Sequence, residues 1–300
     1  LSEARDQWDG YKTKLLKNDE RVNEQEYLTD ALSREALNFI NNNAEQPFFL
    51  YLAYNAPHAP MQATEKYLSR FPEIKDEKRR TYAAMVSAVD DGVGALLDLV
   101  KTLNIEENTL VFFLSDNGGP TKDNGSNNKP LRGFKGDFFE GGIRVPFALQ
   151  WKGQVPSGQR YDSPIISLDI FATAASLANV KPKNELDGVD LIPYLTGKKK
   201  GNPHEELYWR NHNANRFAIR SGDSKLIMQP NQNFLFDLSE DLSESKNQFS
   251  IQKALAKRLS EKLEAWKKQL MDPIFLGLLE DEEYSRLHPD RYTPEKKIEN

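Results

Sequence analysis

Two short, continuously apolar runs frame one long amphipathic run, and that order most constrains what this chain can fold into. "PFFLYLAY" (47–54) and "NTLVFFLSD" (108–116) suit strands buried on both faces. Between them, "RTYAAMVSAVDDGVGALLDLVKTLN" (80–104) places Met85, Val89, Val93, Leu96, Leu97 and Val100 on one side of a helix. Gly92 and Gly94 lower its propensity but permit close packing. Strand, helix, strand in this order predicts an α/β fold with parallel strands.

The flanking sequence extends the pattern. "YLTDALSREALNFINNN" (27–43) reads as an amphipathic helix capped by Thr29 or Asp30, with Ala31, Leu32, Ala36, Leu37 and Ile40 as its apolar stripe. "IRVPFALQW" (143–151) returns to strand character and "SLDIFATAASLANV" (167–180) to helix, with Ser167 or Asp169 near its start. Polar "TGKKKGNPHEE" (196–206) reads as a boundary between residues 1–200 and a smaller domain, 201–300. In that second part "RFAIRSGDSKLIMQ" (216–229) and "NFLFDLSED" (233–241) predict a small antiparallel sheet. "IQKALAKRLSEKLEAWKKQL" (251–270) predicts a helix with Leu255, Leu259, Leu263 and Trp266 on one face. The charged tail from Met271 is expected to wrap or fray.

Charge and composition narrow the function classes. The 300 residues carry a formal net charge of -5, without a basic stripe of the kind that phosphate backbones demand, so nucleic acid is not an expected partner. With no cysteine, these residues hold no disulfide, thiolate metal site or cysteine nucleophile. No apolar run approaches the roughly 18 residues of a membrane span.

Three stretches carry candidate chemistry. Asp116 and Asn117 stand side by side where the apolar run 108–116 ends, and offer oxygen ligands suited to a hard cation such as Ca²⁺ or Mg²⁺. Ligands of open α/β sheets gather beyond the carboxyl ends of strands, and Gly118 and Gly119 free the backbone just behind the pair. "DNGG" is also ordinary turn chemistry. His58 sits in "NAPHAPMQ" (55–62) between Pro57 and Pro60, which stiffen the loop around an imidazole able to bind an anion or give up a proton. A loop histidine also reads as a surface residue. In "PLRGFKGDFFEGGIRVPF" (130–147), Lys135 between Gly133 and Gly136 could bring an ammonium to a bound oxyanion, or could belong to a solvated loop.

In combination, "NAPHAPMQ", "LSDNGG" and "GFKGDFFEGGIRVP", in this order and at these separations, resemble the formylglycine-dependent (type I) sulfatases of the alkaline-phosphatase superfamily. The helix patterns at 27–40 and 85–100, with "SLDIFATAASLANV" and "NFLFDLSEDLSESKN", extend the resemblance over nearly the whole chain. It implies an alkaline-phosphatase-like, mostly parallel sheet flanked by helices, followed by a smaller carboxy-terminal α+β domain of antiparallel sheet plus helix. It implies that Asp116 and Asn117 are ligands of one divalent cation, usually Ca²⁺. Lys135 matches a lysine that contacts a sulfate oxygen and the bridging ester oxygen, and His58 matches a histidine that stabilises or protonates the departing alcohol. His212 and Arg132 are weaker substrate-binding candidates. Sulfated carbohydrate is the implied substrate class, and a periplasmic or extracellular setting the implied location.

The family's nucleophile is a formylglycine made within a Cys/Ser-x-Pro/Ala-x-Arg motif, and no such motif occurs here. The first pair of metal carboxylates has no match either. The expectation is that formylglycine and the remaining ligands belong to an upstream, amino-terminal segment of the same protein, and that this chain alone is inactive and poorly stable. Two alternatives stand beside it: a phosphomonoester or phosphonate hydrolase of the same superfamily, and a non-catalytic binder of sulfated glycan. Arg144 and the Asp90–Asp91 pair are expected to serve structural pairing. His204 and His288 are expected to face solvent, and the sequon Asn124-Gly125-Ser126 is discounted because of its place beside the pocket.

Overall fold

The computed structural model describes residues 15–273. They form two compact units: the first takes the described residues up to Leu103 together with Lys122–Ser126, and the second takes Asn104–Thr121 and Asn127–Met271.

The first unit opens with a short antiparallel hairpin of β1 (Leu15–Lys17) and β2 (Glu20–Val22). Helix α1 (Leu28–Asn43) then packs against α3 (Glu77–Thr102), with the one-turn α2 (Glu65–Leu68) lying on α3 as well. Asp76 starts α3 by accepting the Arg79 N–H at 2.7 Å, which satisfies one of the donors a helix start leaves open. Thr29 and Asp30 lie in the first turn of α1 instead of capping it, and Asp30 accepts the Tyr67 hydroxyl. Tyr67, Ala84 and Ala88 form the buried centre. Asp91 takes a bidentate grip from Arg70, both contacts at 2.7 Å, as pairing predicted.

Helices α1 and α3 approach at Gly92. A Cβ there would lie 2.3 Å from Ser33 Oγ and 2.5 Å from Tyr54 Oη, and these two hydroxyls are hydrogen-bonded to each other at 2.8 Å. A mid-helix glycine thus admits a polar pair between two helices and the segment after α1. Residues 47–54 differ from expectation: they form no ladder among the described residues. Their side chains alternate, with Phe48 set edge-on to Phe39 at 5.8 Å while Phe49 and Tyr51 are 69% and 82% exposed. An apolar run specifies extended backbone, but only a neighbouring strand makes it a ladder.

In the second unit β3 (Val111–Leu114) pairs with β4 (Phe147–Gln150), and the pairing is antiparallel. The chain between them holds two one-turn helices, α4 (Thr121–Asn124, of which Lys122–Asn124 belong to the first unit) and α5 (Glu140–Ile143), in place of a long crossover. The parallel pairing predicted from the strand–helix–strand order is therefore not formed among the described strands. Helices α6 (Leu168–Leu177) and α7 (Ile192–Leu195) follow.

A meander of β5 (Glu206–Asn211), β6 (Arg216–Ser221), β7 (Ser224–Met228) and β8 (Phe234–Asp237) then forms a four-stranded antiparallel sheet, covered by α8 (Lys253–Lys267). The stretch 216–229 is a hairpin of two strands, because Gly222 at φ +58 turns the chain between them. Alternation gives this sheet two buried faces. Ile219, Leu226 and Leu235 meet Ala256, Leu259 and Leu263 of α8 on one. Ala218, Ile227, Phe234 and Phe236 meet Phe138 and Phe139 on the other. The fold is of the α/β class expected, with helices and sheets mixed and an antiparallel sheet at its carboxy-terminal end.

Gly92→Ala is expected to lower stability by about 1–3 kcal/mol, because Ser33 and Tyr54 must separate. Gly94→Ala meets nothing within 4 Å and should raise stability by up to about 1 kcal/mol through helix propensity. Urea midpoints of the two variants check the pair.

Candidate active site

Strand β3 delivers the acid–amide pair. Beyond Leu114 the ladder continues for one more bond, Ser115 N–H to Pro146 O at 3.2 Å, and then the chain turns. Asp116 Oδ1 accepts the Asn117 N–H at 2.9 Å, and Ser115 Oγ donates to Asn117 O at 3.0 Å. Asp116 is exposed and Asn117 half-buried, so both side chains stand at a surface.

Behind them the backbone packs on backbone. Gly118 donates to Gly142 O at 3.0 Å, and a Cβ on Gly118 would lie 1.7 Å from Gly141 O. Gly141 in turn donates to Arg132 O at 2.6 Å, and its own Cβ would meet that oxygen at 2.5 Å. Glycine is required at both places because nothing larger than hydrogen fits. One side chain joins the same frame: Asn128 accepts the Gly119 N–H at 3.1 Å and donates to Gly119 O at 2.9 Å and Gly133 O at 3.1 Å.

That frame holds the Lys135 turn. Lys135 N–H reaches Gly119 O at 3.5 Å, and the turn closes through Asp137 N–H to Phe134 O at 2.9 Å and Phe134 N–H to Asp137 Oδ2 at 3.2 Å. Gly133 and Gly136, at φ +87 and +90, supply the left-handed backbone on either side of the lysine. Arg216 of β6 pairs with Asp137 at 3.7 Å. Asp116, Asn117 and Lys135 are thus carried by neighbouring backbone within one unit.

His58 belongs to the first unit. Its N–H donates to Asn55 O at 2.8 Å, and its Nδ1 lies 2.6 Å from Ala59 O. A carbonyl only accepts, so Nδ1 carries a proton and the neutral ring's lone pair sits on Nε2. His212 is exposed at the tip of the β5–β6 hairpin, with Nδ1 3.4 Å from Arg210 Nη2. Arg132 donates to Glu244 O at 2.8 Å and stacks over Phe139 at 4.0 Å, so its guanidinium is engaged in packing. Asn124 is 3% exposed and accepts the Ser126 N–H, which closes the sequon to modification.

His204 departs from expectation. Its side chain is buried and its Nε2 donates to Asp169 Oδ1 at 2.8 Å, because Asp169 is itself buried and needs donors. Asp169 also accepts the N–H groups of Ile166 and Val189. His288 lies outside the described residues.

Sequence reasoning missed an ionic cluster behind the glycines. Lys225, wholly buried on β7, donates to Glu140 Oε1 at 2.9 Å and pairs with Glu244 Oε1 at 2.9 Å without hydrogen-bond geometry. Arg144 and Arg220 approach Glu140 Oε2 at 3.5 and 3.6 Å, so Arg144 has the structural pairing expected of it. Burial pushes the Glu244 carboxyl up from the usual range, opposed by Lys225. Glu244 belongs to a loop organised by Asp241. Burial alone would raise Asp241, but the N–H groups of Lys246 and Ser245 and the hydroxyls of Ser245 and Ser243 outweigh it and hold this carboxyl at about 2. A signal for Lys225 was present: it falls on the same face of its strand as Ile227.

As a cation site the donor chemistry fits a hard metal, one carboxylate and one amide oxygen held where a strand ends. Among the described residues no group of three or more His, Cys, Asp or Glu that could hold a metal ion gathers, so Asp116 and Asn117 would be only part of a ligand set.

A family model described as Sulfatase matches residues 4–180, and one described as N-sulphoglucosamine sulphohydrolase, C-terminal, matches residues 134–269. The chain is 38% identical over 205 residues to the protein of Escherichia coli (strain K12) called Uncharacterized sulfatase YdeN, covering 65% of this chain and 36% of that protein. It is 38% identical over 177 residues to N-acetylgalactosamine-6-sulfatase of Canis lupus familiaris, covering 57% of this chain and 33% of that one. A crystal structure of Ps i-CgsB in complex with k-i-k-neocarrahexaose matches with a TM-score of 0.81 and 38% identity, over 93% of this chain and 62% of that chain. The chain thus spans about a third of the length of these curated relatives.

Gly118→Ala is expected to cost at least about 2 kcal/mol, since neither backbone can give way, and chemical denaturation measures it. A variant as stable as the parent would mean that the two glycine segments do not touch. For Asp241, a folded value of about 2 against about 3.9 unfolded gives stabilisation fully present above about pH 4 and lost as pH falls towards 2. The stability gap between parent and Asp241→Asn should therefore shrink across that interval in acid unfolding curves.

Proposed function

The chain belongs to the sulfatase family, and on that premise we propose that it supplies part of the machinery of a sulfuric ester hydrolase acting on sulfated carbohydrate. The observation that carries the reading is the shared frame of Asp116, Asn117 and the Lys135 turn, joined through Asn128 and glycine-to-glycine contacts. A cation-type oxygen pair and an ammonium on adjoining backbone suit a tetrahedral oxyanion.

In this reading Asp116 and Asn117 hold one divalent cation, Ca²⁺ by family resemblance. When bound, the ion neutralises and polarises the sulfate oxygens. Lys135 binds a sulfate oxygen and the bridging ester oxygen. Negative charge grows on that bridging atom as the S–O bond breaks, so an ammonium there favours the transition state over the ground state. The lysine turn is pre-shaped by Gly133, Gly136 and Asp137, so little ordering is left for the moment of reaction. His58 is assigned, on the resemblance, to protonate the departing alcohol. His212, exposed on its hairpin, is assigned to contact with the sugar. In the family the attacking group is formylglycine, whose precursor motif does not occur in these residues.

Sulfated carbohydrate is supported by the company the chain keeps: a relative named N-acetylgalactosamine-6-sulfatase and a structural neighbour bound to neocarrahexaose. A periplasmic or extracellular setting accords with a polysaccharide substrate. No helix among the described residues is long and apolar enough to cross a membrane.

The test uses the complete protein from its source. It should release sulfate from sulfated oligosaccharide, lose activity when divalent cations are chelated, and regain it with Ca²⁺. Lys135→Ala and His58→Ala should each lower kcat by about 10²-fold or more. Release of phosphate from aryl phosphate with no release of sulfate from any sulfated sugar would overturn the reading.

A further inference from the structure

We propose that Lys225 and Glu244 are positioning residues for the Asp116–Asn117 cation site, a proposal that rests on the cation reading given above. Neither side chain belongs to the loops that carry the site. Both act through Glu140, and each link is an observed contact within the second unit.

Lys225 comes off β7 on the face shared with Ile227 and donates to Glu140 Oε1 at 2.9 Å. Glu244 Oε2 accepts the Glu140 N–H at 2.6 Å, so Glu140 is held by its side chain and its backbone at once. Glu244 O accepts Arg132 Nη1 at 2.8 Å, and Arg132 O accepts the Gly141 N–H at 2.6 Å, which closes a ring around the same segment. Gly141 and Gly142 then form the wall against which Gly118 rests, through the 3.0 Å bond from Gly118 N–H to Gly142 O. Asn117 and Asp116 are the next residues along the chain. With no side chain between the two backbones, a displacement of Glu140 has nothing to absorb it before it reaches the oxygen pair.

The surroundings argue for geometry over bulk stability. Ala218, Ile227, Phe234 and Phe236 make this sheet face apolar, and apolar residues in place of the whole Lys225–Glu140–Glu244 cluster would avoid the cost of burying charge. Glu244 also adopts φ +52, a left-handed conformation that glycine or asparagine would adopt with less strain. The charges facing Glu140 and Lys225 are Glu244, Arg144 and Arg220, and each touches one of the two. Removing one carboxylate or the ammonium therefore leaves the others unbalanced and lets the 140–142 segment move.

Isothermal titration of Ca²⁺ into the complete protein tests this, alongside melting temperature. Lys225→Met and Glu244→Gln are each expected to raise the Ca²⁺ dissociation constant by about 10-fold or more, as loss of supporting partners around metal ligands generally does. Sulfate release by these variants should fall at limiting Ca²⁺ and recover at high Ca²⁺. Leu259→Ala, on the α8 side of the sheet, should lower the melting temperature and leave the dissociation constant unchanged. If Lys225→Met does not fold, Glu244→Gln decides. Parental Ca²⁺ affinity in the folded variants, with binding lost in Asp116→Ala, would overturn the positioning role and leave the cation site standing. Parental affinity in Asp116→Ala itself would overturn both.

Discussion

An ammonium with no exposure to water, held between two carboxylates, is the constraint around which the second unit is arranged. Taking an ion out of water costs several kcal/mol even after relaxation, and attraction offsets that only when the partners stay in place. Lys225 can stay buried only while Glu140 and Glu244 remain where they are. Arg144 and Arg220 balance the far oxygen of Glu140, so the cluster draws on the loop, on β6 and on β7 together. Glu244 accepts a left-handed backbone, at about 1–2 kcal/mol, to take part. The bonds gathered by Asp241 keep the turn that imposes it.

Tight ionic geometry would matter little if it met soft packing, but glycine is what it meets. Where side chains interdigitate, rotamer changes absorb small shifts. Where Gly118 faces Gly141, the contact is between main-chain atoms and the hydrogen bond runs straight across. Asn128 repeats the principle on the other flank, with a single amide tying Gly119 to Gly133 and so to the Lys135 turn. Glycine-rich sequence usually suggests mobility. Here Gly118 and Gly141 are present because another backbone occupies the space a side chain would need, and Gly133 because its backbone is left-handed.

What could be read from the sequence, and what could not, follows from the range of each interaction. Helical periodicity is local, so α3 was expected at 80–104 and runs Glu77–Thr102, while α8 was expected at 251–270 and runs Lys253–Lys267. The Asp116–Asn117 pair and Lys135 were legible because strand end, acid, amide and glycine are neighbours in the chain. The strand expected at 47–54 and the parallel pairing with it were legible only as extended backbone, since a ladder depends on a partner the run itself does not encode. Lys225, Glu140 and Glu244 are joined across 85 and 104 residues of sequence, and no local pattern links them. His204 was read as solvent-facing from its charged neighbours, and its partner Asp169 is 35 residues away. Asn128 carries no sequence signal of its own, because a clamp is recognised by what it touches.

Strand β7 explains how one small sheet can serve both fold and site. Its alternation sends Leu226 into the α8 interface and Lys225 with Ile227 to the opposite face. Truncating Leu226 would open a cavity against Leu259 and Leu263, at about 2–5 kcal/mol, without touching a single bond of the glycine frame. Replacing Lys225 alone by an apolar residue would act on that frame directly, and would also leave Glu140 and Glu244 buried without their ammonium, at about 3–5 kcal/mol. Neighbouring positions on one strand therefore reach different partners, because side chains of a strand repeat with a period of two. A carboxy-terminal sheet far from the acid–amide pair in sequence is thus a structural part of the loop that presents it. Substitutions there sort by face: those towards α8 bear on whether the chain folds, and those towards Glu140 bear in addition on where Asp116 and Asn117 stand once it has.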